Sequence, residues 1–75
     1  MKSYKYERIL DIYIALTNGK IVNTIEYANK HNVDCRTIHR DLADIRAFIN
    51  NSYITDNGIY LNVYYDYQVK GYRAA

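Results

Sequence analysis

The middle of the chain reads Val33-Asp34-Cys35-Arg36-Thr37-Ile38-His39-Arg40-Asp41-Leu42 and continues through Ala43 to Asn50. Asp34 is a good helix N-cap, because its carboxylate can accept hydrogen bonds from the free backbone N–H groups of the first turn. Behind this cap, apolar residues recur at i, i+4, i+7 and i+11, which places them on one side of an α-helix: Ile38, Leu42, Ile45 and Ile49. The stretch therefore predicts an amphipathic helix.

The opposite side of this predicted helix combines cations with small residues. At about 100° per residue it carries Arg36, Arg40, Ala43 and Ala47, with Thr37 and Asp44 at its margin and Asp41 pointing away from the arginines. Small side chains beside arginines let a helix approach a grooved polyanion closely. The residues alone are equally consistent with a solvated helix face whose arginines pair with Asp44 and other acids.

A shorter predicted helix comes directly before, from Thr24 to His31. It opens on Asn23-Thr24-Ile25-Glu26, which has the form of a capping box. Asn32 can take the left-handed conformation that ends a helix, and Val33 then fills the junction before Asp34. Two helices joined by such a turn predict a helix-turn-helix, although other αα-corners share this layout.

The N-terminal part predicts a first helix from Ser3 to Thr17, ended by Asn18-Gly19. Its apolar stripe consists of Tyr6, Ile9, Leu10, Tyr13 and Leu16, widened by Ile12 and Ile14. Lys20-Ile21-Val22 is long enough only for a short strand at a sheet edge. The three helices are expected to meet in a core of Ile9, Leu10, Tyr13, Tyr27, Ala28, Val33, Ile38, Leu42 and Ile45.

After Asn50 the pattern changes to that of a β-hairpin. Asp56-Asn57-Gly58 is a turn signal, and from Ile59 to Asp66 the side chains alternate with the period of a strand. A second strand, from about Lys70 to Ala74, would pair back across Tyr67-Gln68-Val69. The expected fold class is α+β, mainly α with a small β-hairpin, in a single domain spanning residues 1–75.

The quoted motif also resembles the V-S-x-R-T-I-x-R-D-L signature of DeoR-type and WYL-domain bacterial transcription regulators. The likeness extends to four further segments: Tyr6-Glu7-Arg8-Ile9-Leu10, Gly19-Lys20-Ile21-Val22, Tyr65-Asp66 and Lys70-Gly71-Tyr72-Arg73. They are similar to that family's first helix, the strand before its second helix, and the Y-D and K-G-Y-R of its wing. The resemblance implies a winged helix-turn-helix, with three helices, a wing sheet of two or three strands, the helix-turn-helix at about 24–50 and the wing at about 59–75.

The same resemblance implies sequence-specific binding of double-stranded DNA by a transcription regulator, with helix 35–50 in the major groove and the wing on the backbone. Arg40, one turn into the outward face, is expected to read a base, while Arg36 and Thr37 meet phosphates and His39 lies on the flank. The other candidate DNA-binding residues are Asp34, Ala43, Lys70 and Arg73. The sequence departs from the family's pattern in a wing with only two cations and in Asp34, where the family usually has serine.

Composition narrows the class of protein. The chain has 75 residues, one cysteine and a formal net charge of +2. One cysteine excludes an internal disulfide and is compatible with a reducing cytoplasm, which is the expected location. No apolar run approaches the roughly 18 residues of a membrane span. No constellation of residues supports catalysis, so we expect no enzyme activity, no cofactor and no bound metal.

Two other residue groups allow alternative interpretations. Tyr60, Tyr64, Tyr65, Tyr67 and Tyr72 cluster in the predicted hairpin; Tyr65 and Tyr72 are expected to seal the sheet, and Tyr60 and Tyr64 to be more exposed. The alternative function is therefore a winged-helix protein–protein interaction module that uses this tyrosine-rich wing. His31, Cys35 and His39 are four residues apart, a metal-ligand spacing on one continuous helix, but the predicted turn interrupts that helix. Cys35 could instead sense oxidants.

Partners follow from the same reasoning. Double-stranded DNA is the expected partner, membranes are not, and an effector ligand is expected only if a further domain exists, because the chain is either the N-terminal part of a longer regulator or a small stand-alone repressor. A homodimer is left open: paired half-sites would multiply affinity, yet no additional helix in the sequence supplies an interface.

Overall fold

The structure, a computed structural model, describes residues 3–51 and 62–74. Three helices, α1 (Lys5–Thr17), α2 (Thr24–His31) and α3 (Cys35–Asn51), precede the strands β1 (Val63–Asp66) and β2 (Gly71–Ala74). The predicted α+β class with three helices and a hairpin is confirmed, although α1 begins two residues later than expected. The predicted turn at 56–58 and the start of the first strand at 59–61 lie outside the described residues.

The connection between α2 and α3 has the predicted local structure. Asn23 caps α2, its side-chain oxygen accepting from the backbone N–H of Glu26 at 3.0 Å. Asn32 is left-handed, with φ 56° and ψ 47°, and the Val33 N–H donates to the Ala28 carbonyl at 3.0 Å. Asp34 then caps α3, its carboxylate accepting from the backbone N–H of Thr37 at 2.9 Å. Local hydrogen bonds therefore define the beginning of α3.

The core lies where the three helices meet the base of the hairpin. The predicted stripe of α3 is confirmed, because all four of its residues are buried. The predicted apolar stripe of α1 is wrong in part: Tyr6, Leu10 and Ile14 are more than half exposed, whereas Ile12 and Leu16 are buried. The inward side of α1 consists of Arg8, Ile12, Ala15 and Leu16. Because a charged residue occupies one of these positions, counting apolar residues alone places the stripe too far around the helix.

A buried ion pair joins α1 to α3. Arg8 Nε donates to Asp41 Oδ2 at 2.6 Å, and the two side chains are only 10% and 2% exposed. Arg8 Nη1 also donates to the Ser3 carbonyl at 2.8 Å. Asp41 thus points away from the arginines of α3, as expected, and its partner is the one arginine of α1.

The strands β1 and β2 pair antiparallel, with Tyr65 opposite Tyr72 and Asp66 opposite Gly71. The hairpin is attached to the α1–α2 connection by a single antiparallel bridge, in which Val22 and Tyr72 exchange backbone hydrogen bonds of 2.9 and 2.8 Å. The predicted edge strand at residues 20–22 is therefore reduced to one bridging residue. None of the described helices is long and apolar enough to cross a membrane.

Gly71 allows this bridge to form. A Cβ atom at Gly71 would overlap Ile21 Cγ2 and would lie 3.1 Å from the Val22 carbonyl oxygen. A side chain at residue 71 would therefore require Ile21 or the backbone at Val22 to shift.

Candidate nucleic-acid interface

The outer face of α3 exposes the residues that the periodicity placed there: Arg36, Arg40, Ala43 and Ala47. The carboxylates of α3 are directed elsewhere, since Asp41 is buried against Arg8 and Asp44 pairs with Lys5 of α1 at 2.7 Å. Among residues 3–51 and 62–74, the ion pairs engage Lys5, Arg8, Lys30, His31 and Arg73, and none involves an arginine of α3. The structure therefore does not support the alternative in which Asp44 pairs with the arginines of this face.

The first turn of α3 contains two further candidates, Asp34 and Thr37. Besides capping the helix, Asp34 Oδ1 accepts from the Thr37 hydroxyl at 2.7 Å. The donor capacity of this hydroxyl is thus used within the cap, which leaves its oxygen as an acceptor. Thr37 can meet a phosphate through a hydroxyl hydrogen only if this bond is exchanged.

A cleft of about 320 Å³ separates the hairpin side of α3 from the strands. His39, Ala43, Arg46 and Ala47 line it from α3, and Val63 and Tyr72 line it from the hairpin. Arg46 was not among the sequence-predicted candidates, although it lies seven residues, or about two helical turns, after His39. A cation at this spacing was visible in the sequence; its proximity to the hairpin was not, because that depends on how the strands dock.

The two hairpin candidates differ in how available their charges are. Arg73 Nη1 donates to Asp66 Oδ2 at 3.2 Å, so its guanidinium is shared with a carboxylate of the opposite strand. A hydrogen bond from the backbone N–H of Gln68 and, to a smaller extent, one from Arg73 hold the pKa of Asp66 below its ordinary value of 3.8. Lys70 is exposed in a left-handed conformation with φ 54°, and its carbonyl accepts from Asn23 Nδ2 at 3.2 Å. Lys70 is therefore the more available of the two cations.

The hairpin tyrosines are arranged differently from the expectation. Tyr65, expected to seal the sheet, is exposed, and Tyr64, expected to be exposed, is half-buried. Val63 at the base of the hairpin packs into the core, whereas Tyr65 lies nearer the turn and meets Tyr67 and Tyr72 edge-on at centroid distances of 4.8 and 5.1 Å. The half-buried Tyr72 does pack against the core. Tyr60 lies outside the described residues.

The structure does not bring His31, Cys35 and His39 together as metal ligands. His31 is buried between Ser3 and Asp11, with Nδ1 2.7 Å from Ser3 Oγ and Nε2 2.7 Å from Asp11 Oδ2. Cys35 is half-buried against the core, and His39 is exposed at the cleft. Within the described ranges, no three histidine, cysteine, aspartate or glutamate side chains are placed to share a metal ion.

Comparison with protein-family models, with curated proteins and with solved structures finds no match for this chain.

Proposed function

We propose that the chain is a winged helix-turn-helix domain that binds duplex DNA as part of a transcription regulator. The observation that carries this proposal is the outer face of α3, where Arg36 and Arg40 lie exposed beside two alanines while the carboxylates of the same helix are engaged by cations of α1. A helix of this kind fits the major groove, because its small residues allow close approach and its guanidinium groups can pair with guanine O6 and N7.

In the proposed complex, Arg40 reads a base and Arg36 binds a phosphate at the start of α3. The hairpin follows the backbone beside the groove, with Lys70 as its main cation. The cleft between α3 and the hairpin receives the intervening sugar-phosphate strand, contacted by His39 and Arg46. This division agrees with the usual one, in which phosphate contacts position a protein and base contacts specify the sequence.

The decisive measurement is fluorescence anisotropy with a labelled duplex, titrated with the chain at several salt concentrations. If each protomer neutralises about four phosphates, log K should fall against log salt with a slope of about −3.6. A preferred duplex, selected from a random library, should bind more tightly than random sequence. The matched control is Lys30→Ala, which removes one positive charge from α2, where Lys30 is paired with Asp11 at 2.8 Å. A slope near zero contradicts the proposal.

A second candidate function is a protein-interaction module that uses the hairpin tyrosines. The observation in its favour is Tyr67, which is 83% exposed at the hairpin turn and packs edge-on against the exposed Tyr65. Absence of duplex binding at low salt, together with a protein partner lost on Tyr67→Ala, favours this candidate over DNA binding.

A further inference from the structure

Helices α1 and α3 border an apolar groove. This α1–α3 groove has a volume of about 490 Å³ and is lined by Leu10, Tyr13, Ile45 and Phe48, with Lys5 and Asp44 at its edge. Leu10 is 56% and Phe48 60% exposed. Large apolar side chains exposed around one depression are typical of an interaction site.

The apolar surface continues from the groove along α1. Tyr6, Leu10 and Ile14 follow each other at intervals of four residues, so they form one stripe on the helix, and each is more than half exposed. Ile9 and Tyr13 of the same helix are half-buried and pack against the core. The stripe is therefore continuous with the core, and covering it would extend the core outward.

The charges at the groove indicate what covers it. Lys5 and Asp44 bear opposite charges, are more than half exposed, and already pair at 2.7 Å. In a two-fold arrangement of identical chains, Lys5 of each copy can exchange its partner for Asp44 of the other, so that no charge is left unpaired. The outer face of α3 offers no such match, because two copies would meet there arginine to arginine.

The groove also leaves the outer face of α3 open. Around the axis of α3, Asp44 and Phe48 are turned by roughly 100° from the direction of Arg36, Arg40, Ala43 and Ala47. A chain docked in the groove would thus lie beside the cationic face without covering it.

We propose that the α1–α3 groove is a homodimer interface, in which a second copy of this chain packs its own α1 stripe and Phe48 against the first. The DNA consequence rests on the function proposed above: two copies would present two α3 helices to two half-sites, which is how small helix-turn-helix proteins gain affinity.

The first test measures the oligomeric state without DNA. Sedimentation equilibrium over a range of concentrations should show a monomer–dimer equilibrium for the unmodified chain. Leu10→Ser/Phe48→Ser should shift it to monomer, whereas Ile25→Ser, at a position of α2 that is 62% exposed, should leave it unchanged. The proposal is overturned if the unmodified chain is monomeric at every concentration. It is also overturned if Ile25→Ser abolishes the dimer and Leu10→Ser/Phe48→Ser does not. Circular dichroism distinguishes loss of the dimer from loss of the fold.

The second test uses the paired charges. Lys5→Glu makes the edge of the groove wholly acidic and Asp44→Lys makes it wholly basic, so each variant alone should dimerise at least tenfold more weakly than the unmodified chain. A mixture of the two should form a heterodimer, because each cation then faces an acid of the other chain. If the mixture behaves as two separate monomers, the proposed pairing between copies is wrong.

The third test separates the dimer from DNA binding. On a duplex with two half-sites, Leu10→Ser/Phe48→Ser should lose about 10²- to 10⁴-fold in affinity, the usual gain from linking two binding events, while affinity for a single half-site stays unchanged. If the unmodified chain dimerises but binds no duplex, the proposed function is wrong and the proposed dimer interface stands. If the unmodified chain is a monomer that binds a half-site, the proposed dimer interface is wrong and the proposed function stands.

Discussion

Arg8 and Asp41 hold α1 and α3 together through a buried contact of 2.6 Å between Nε and Oδ2. The pair lies on the same side of α3 as its buried apolar residues, and Asp41 and the exposed Arg40 are neighbours on that helix. With Asp41 directed into the protein, Arg40 is directed outward.

Breaking this pair should be costly. Arg8→Met leaves the Asp41 carboxylate buried without its cation, a change that typically costs about 3–5 kcal/mol of unfolding free energy. In Arg8→Met/Asp41→Leu both charges are gone, so most of that loss should be recovered, since well-packed apolar residues often replace a buried ion pair without loss. Urea unfolding followed by circular dichroism measures both. A single variant that costs less than the double would contradict a role for the pair in stability.

Replacing Arg36 and replacing Arg40 should weaken DNA binding in different ways. Arg40→Ala should reduce the difference in binding free energy between the selected duplex and random sequence by about 1–3 kcal/mol, because a base contact is lost. Arg36→Ala should weaken binding to both and reduce the salt slope by about 1, because a phosphate contact is lost. Anisotropy titrations at two salt concentrations test both. Equal losses on both duplexes for Arg40→Ala would remove its base-reading role.

Gly71→Ala should loosen the hairpin without unfolding the helices. The added methyl group would overlap Ile21 Cγ2 and crowd the Val22 carbonyl, so the Val22–Tyr72 bridge should weaken. Amide hydrogen exchange should then accelerate at Val22 and Tyr72 while the amides of α3 stay protected. The matched control is Gly19→Asn, because a Cβ at Gly19 meets no atom within 4 Å and its φ of 76° is one that asparagine tolerates. Unchanged exchange at residues 22 and 72 in Gly71→Ala would show that the close approach is not required.

Asp11 should make stability depend on acidity. Burial alone would raise the pKa of Asp11, but hydrogen bonds from Lys30 and His31, at 2.8 and 2.7 Å, lower it overall from its ordinary 3.8. A carboxyl with a lowered pKa in the folded state stabilises the protein above about pH 3.8 and loses that contribution as the pH falls through the folded-state pKa. Asp11→Asn should thus be less stable than the unmodified chain at pH 7, with the difference shrinking near pH 3. Urea unfolding at both values measures this, and a difference independent of pH would contradict it.

The sequence was sufficient to predict α3 and its surroundings. The apolar residues of α3 are separated by polar ones, so its buried face is unambiguous, and Asn32 and Asp34 define the turn through local hydrogen bonds. In contrast, α1 has apolar residues around most of its circumference, and a charged residue, Arg8, on its buried side. Its orientation therefore depends on a partner, Asp41, that is distant in the sequence.

The surroundings of two other cations could not be predicted for a similar reason. Arg46 lines the cleft only because the hairpin docks beside it, and Arg73 is paired because the strand register places Asp66 within reach. Both relationships are set by long-range packing of the strands, which no local periodicity reveals.

The bridge between Val22 and Tyr72 joins the α1–α2 connection to β2, which follows all three helices in the sequence. During synthesis, α1, α2 and α3 therefore leave the ribosome before Tyr72 does. The hairpin can reach its final position beside α3 only after all three helices have been made.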